Sequence, residues 1–102
     1  MYDLLRDVHA ARRTFSKTEK YSLGEKLENT LLNTLLSIVE AGQERHEWKV
    51  AAIDAALRNL EKARILIRLA WDTQQIHERR MSEWQVAADK IGRMLGGWRR
   101  AA

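Results

Sequence analysis

The chain has 102 residues, no cysteine and no proline, and its 18 Lys and Arg against 14 Asp and Glu leave a formal net charge of +4 at pH 7. That length suits one domain, over 1–102, with a core of modest size. The composition excludes a disulfide framework, a thiolate nucleophile and a cysteine-based metal site, and the positive balance points to an acidic partner, nucleic acid above all.

Leu, Ala, Glu, Lys and Arg dominate, the residues that lose least on entering a helix. The first helix is expected over about 2–14. Leu4, Leu5, Val8, Ala11 and Phe15 share one side at helical spacing, and Arg12 and Arg13 suit the negative end of its dipole. A polar break follows, in which Ser16-Lys17-Thr18-Glu19 has capping-box spacing. The second helix is expected over 19–41. Leu23, Leu27, Thr30, Leu31, Thr34, Leu35, Ile38 and Ala41 form its main apolar face, and Leu32, Leu36 and Val39 widen it. A helix apolar on so much of its circumference is covered on two sides, inside a bundle or against another subunit. Gly42 is expected to end it.

The third helix is expected over 44–70, with Ile53, Ala56, Leu57, Leu60, Ala63, Ile67 and Ala70 in steps of three and four. Ile65, Leu66 and Leu69 give it a second apolar edge, and Arg58, Lys62, Arg64 and Arg68 crowd its second half. Asp72 to Gln75 reads as a loop. The last helix is expected over 78–95. Met81, Trp84, Ala88, Ile91 and Leu95 make a 3-4 seam, and Gly96-Gly97 reads as its stop. Short connections make consecutive helices antiparallel neighbours. The fold class is therefore all-α, an antiparallel up-down-up-down four-helix bundle.

Little here suggests catalysis. His9, His46 and His77 lie on separate segments, and none has a Glu-x-x-His spacing for a metal. Glu28, Glu40, Glu61 and Glu83 flank the apolar stripes and do not interrupt them. No Gly-x-Ser-x-Gly elbow or phosphate-cradling glycine loop is present. The reading is a non-enzyme without cofactor or metal. The early acids of Met1 to Asp7 do not suit a signal peptide. The nearly uncharged run from Asn29 to Val39 is shorter than the roughly 20 residues of a membrane span, so a cytoplasmic protein without a membrane partner is expected. The functional candidates are basic: Arg58, Lys62, Arg64 and Arg68 on the third helix, and Arg79, Arg80 and Arg93 on the last, with Lys90, Arg99 and Arg100 as further cations on or beyond it. Antiparallel pairing is expected to bring them together, on a surface suited to phosphates without reading sequence. The competing reading is a solvated face with scattered ion pairs.

Three blocks also carry a resemblance. They are Phe15 to Gly24 with Leu27-Glu28, Ala55 to Arg64 continued by Leu66 to Asp72, and Ile91 to Trp98. Together they resemble the bacterial four-helix-bundle family that includes the accessory variability determinant (Avd) proteins of diversity-generating retroelements and the proteins encoded in 23S rRNA intervening sequences. The last block is more similar to the retroelement branch. Ser16 stands where the family's junction usually has proline, and Thr73 to Ile76 is more polar than the family pattern. The resemblance implies a homopentameric barrel with a basic surface. It further implies a non-catalytic accessory that associates with the retroelement's reverse transcriptase and template RNA and supports mutagenic cDNA synthesis (mutagenic retrohoming). The alternative is the intervening-sequence type, a structural oligomer or protein-interaction module.

Overall fold

The computed structural model describes residues 1–102 and contains helices and turns only. Helix α1 spans Tyr2–Ala11 and runs into a 3-10 turn, Arg12–Thr14. A single helical turn, α2, covers Lys17–Lys20. Three long helices follow: α3, Leu23–Gln43; α4, His46–Asp72; and α5, Glu78–Ala101. Helix α3 packs on α4 and α4 on α5, while α1 closes the ring against α3 and α5. This is the helical bundle that the apolar periodicities predict.

The predicted faces meet in the middle. Leu4, Val8, Ala11 and Phe15 enter the core from the N-terminal segment, joined by Leu23, Leu27 and Leu31 of α3. Ile53, Ala56, Leu60, Ala63, Ile67 and Ala70 come from α4, and Trp84, Ala88, Ile91 and Leu95 from α5. Trp84 is only 2% exposed. Its indole Nε1–H donates to Asp7 Oδ2 at 2.6 Å, which ties α5 to α1 and gives the buried ring the polar partner it needs. The fully buried Thr34 hydroxyl donates to the Thr30 carbonyl at 2.8 Å, one turn back.

Helix α1 gives way to the 3-10 turn at Arg12, and α4 is shifted two residues along from the expected 44–70. Three other boundaries differ, each for a physical reason. The second helix does not run unbroken from residue 19, because the chain breaks at Tyr21–Ser22. The carbonyl of Lys20 is taken by Arg12 Nε–H at 2.7 Å and so is diverted from a helical ladder. The capping box forms by half. Ser16 Oγ accepts from the Glu19 amide at 3.4 Å, but the Ser16 amide donates to Gln75 Oε1 at 2.7 Å. The Glu19 carboxylate instead accepts from Ser22 Oγ.

Gly42 does not stop α3, which ends at Gln43 where Glu44 turns extended. The turn there is closed by His46, which takes φ 50° at the first position of α4. The largest difference is at the C-terminus, where Gly96-Gly97 does not stop α5. Two glycines in a helix cost about 1 kcal/mol each relative to alanine. Long-range contacts on either side of them offset that cost. Leu95 is fully buried, Trp98 packs against the core, and Lys49 lies 5.1 Å from the centroid of the Trp98 ring. Arg99 Nε–H then donates to Asp54 Oδ1 at 2.6 Å, binding the end of α5 to α4.

Candidate nucleic-acid interface

Helices α4 and α5 pair antiparallel, so the basic second half of α4 lies against the first half of α5. Arg64 is the residue through which they join. Its Nε–H donates to Gln85 Oε1 at 3.2 Å, while Gln85 Nε2–H donates to the Arg64 carbonyl at 3.1 Å. Arg64 Nη1 also lies 4.0 Å from Asp89 Oδ1, and Asp89 Oδ2 accepts from Arg93 Nε–H at 3.0 Å. Arg64 and Arg93 are thus brought together around one carboxylate. Arg68 borders the same groove, with Met81 on the far side. It bonds Asp72 at 3.3 Å, one turn on, and lies 5.4 Å from the Trp71 ring centroid.

The remaining candidates point elsewhere. Arg79 and Arg80 sit at the end of the bundle beside Thr14 and His77. Arg79 pairs with Glu83 at 3.1 Å, and Arg80 lies 6.0 Å from the Trp84 ring centroid. Arg58 is exposed on the outer face of α4, and its charge helps lower the pKa of Asp54 one turn away. Lys62 turns the other way, into the groove between α3 and α4. The seven basic residues therefore do not make one patch. They divide among the α4–α5 groove, the α3–α4 groove and the end of the bundle.

Charge pairing divides them again. Arg64, Arg68, Arg79 and Arg93 each have a carboxylate within 4.0 Å, so their attraction for phosphate is already partly spent. Such exposed pairs are individually weak, and a polyanion can displace them. Arg58, Lys62 and Arg80 have no carboxylate within that distance.

Sequence reasoning missed two ionic groups. Arg12 is half-buried at the α1–α3 junction, donating to the Lys20 carbonyl and, through Nη1, to Glu28 Oε1 at 3.3 Å. Glu28 Oε2 pairs with His9 Nδ1 at 2.9 Å, so this glutamate is a structural link. The second is Asp54–Arg99. The hydrogen bond from Arg99, with the charges of Arg99 and Arg58 behind it, holds the Asp54 carboxyl below the usual carboxylate range against a smaller opposing effect of desolvation. The same pairing raises Arg99 above its ordinary value.

The apolar edges predicted on α3 and α4 are uncovered. Leu32, Leu36 and Val39 line the outer side of α3, with Leu36 55% exposed. Ile65 and Leu69 lie on the outer side of α4, with Ile65 67% exposed, while Leu66 is half-buried. Trp48 at the start of α4 is 68% exposed. No helix is long and apolar enough to cross a membrane.

No curated protein and no solved structure matched the chain. A protein-family model described as bAvd-like matches residues 1–102. The match covers every helix of the bundle and agrees with the residue blocks at the α1–α3 junction, on α4 and at the end of α5, so the chain belongs to the bAvd-like family.

Proposed function

We propose that this protein is a non-catalytic accessory of a diversity-generating retroelement. In this role it binds the element's reverse transcriptase and template RNA through basic surfaces and supports mutagenic cDNA synthesis. The observation that carries the reading is the family match over residues 1–102. Two structural features support it. Cations border grooves on two sides of the bundle and crowd one end, as a partner wrapping a polyanion around the bundle requires. Two helices also present uncovered apolar edges, of the kind that mark interaction surfaces. In this reading the edges of α3 and α4 are buried between subunits of a homopentamer.

Sedimentation of nuclease-treated protein tests the assembly: a pentamer at micromolar concentration is expected, and a monomer contradicts it. Binding of single-stranded RNA tests the charge argument. Affinity is expected to fall steeply with salt, and to drop when Arg58, Arg64 and Arg68 are changed to Glu. Undetectable binding at low salt removes the RNA part of the proposal.

The uncovered apolar edges fit a second reading equally well: a structural oligomer or protein-interaction module of the intervening-sequence type. It predicts the same assembly with no dependence on nucleic acid. A pentamer that binds neither RNA nor reverse transcriptase favours it.

A further inference from the structure

The arginines that first draw attention are largely tied to neighbouring carboxylates. The opposite side of α4 differs. Between α3 and α4 lies a groove of about 360 Å³, within the range of small-ligand sites. Lys26 of α3 and Lys62 of α4 border it, with Asn33 and Asn59 further along and Ile65 and Leu66 forming an apolar strip. No acidic residue lines it. Neither lysine has a carboxylate within 4.0 Å. Lys26 is also the only cation on α3.

The amides complete the chemistry. The groove-side hydrogen bond of α3 is made by Thr30, whose hydroxyl donates to the Lys26 carbonyl at 2.7 Å. The side-chain bonds that Arg64 and Arg68 make along the second half of α4 lie on its other side, toward α5 and Asp72. Asn33 and Asn59 are left with donors and acceptors free. A side-chain amide carries both, which suits the edge of a base. The carboxylates of an acidic peptide would use the amide donors alone and leave the amide oxygens idle.

Resting on the nucleic-acid reading above, we infer that the α3–α4 groove is the seat of single-stranded RNA. Lys26 and Lys62 take successive phosphates, and Asn33 and Asn59 meet base edges. Single strands are recognised in this way, through splayed bases and a basic track along the backbone. In this arrangement the arginine side of the bundle attracts RNA from a distance and the lysine groove holds it.

The test is a binding titration of a fluorescent single-stranded RNA of mixed sequence across a salt series, on the full chain. The Lys26→Gln/Lys62→Gln variant alters exposed side chains, and circular dichroism confirms that it folds. Loss of two phosphate contacts is expected to flatten the log-log salt slope by about 1.4, with weaker binding at every salt. The Asn33→Ala/Asn59→Ala variant is expected to keep the slope and lose preference among homopolymers. If wild type binds and the lysine variant binds equally well with an unchanged slope, the groove assignment is wrong while the nucleic-acid reading stands. If wild type does not bind RNA, both fail. Poly-glutamate competing as strongly as RNA also overturns the groove, because charge alone would then explain it.

Discussion

At the residue scale, the α1–α3 junction is held by Arg12 lying across Gly24. A Cβ at position 24 would fall 2.8 Å from Arg12 Cγ. That atom is not free to swing away, since the guanidinium is fixed by the Lys20 carbonyl and Glu28. Overpacking of this kind costs about 1–3 kcal/mol, against a helix-propensity gain of at most about 1 kcal/mol. Gly24→Ala should therefore destabilise the protein by about 1 kcal/mol in urea unfolding. In an Arg12→Ala background the same change should cost nothing, because the clashing atoms are gone. Equal cost in both backgrounds would show that Arg12 is not what forbids a side chain there. None of this was legible in the sequence. Arg12 reads locally as a helix-end cation, and only the folded junction shows it reaching the carbonyl of Lys20.

At the scale of elements, the end of α5 is where a local rule loses to long-range contact. Gly96-Gly97 has the signature of a stop, but Trp98 and Arg99 hold the helix to α4 through Lys49 and Asp54. A Cβ at either glycine would meet only the terminal nitrogens of Arg100, at 3.6 and 3.7 Å. Gly96→Ala and Gly97→Ala should each raise stability by about 0.5–1 kcal/mol. If they lower it instead, the segment is not helical. The Asp54–Arg99 tie adds a pH signature. Because Asp54 is depressed in the folded chain, its contribution is complete above the ordinary carboxylate range and is lost as pH falls through its folded value. The melting-temperature gap between wild type and Asp54→Asn should be level near neutrality and close in acid. A gap that widens in acid reverses the sign and contradicts the pairing. The four apolar stripes were readable from spacing alone, since core burial follows periodicity. The break at Tyr21–Ser22 and the continuation past Gly97 were not, because each depends on a partner distant along the chain.

At the scale of the molecule, the bundle and its uncovered edges were legible, and the location of the basic surface was legible only in part. Antiparallel pairing brings Arg64 and Arg93 together around Asp89, but Lys62 and Arg80 lie on other sides. Helix register, not cation count, decides which charges share a face. That register held an unused signal. Reflecting the chain about Glu44 sets Lys26 opposite Lys62, so the α3–α4 groove is legible in the sequence. The functional account itself stands on the bAvd-like match. Its most direct test is cDNA synthesis by a diversity-generating retroelement reverse transcriptase, on that element's template RNA, with and without the purified protein. The account predicts that the protein copurifies with the polymerase and that adenine-mutagenised cDNA depends on its presence. Equal yields of mutagenised cDNA without it would contradict the account.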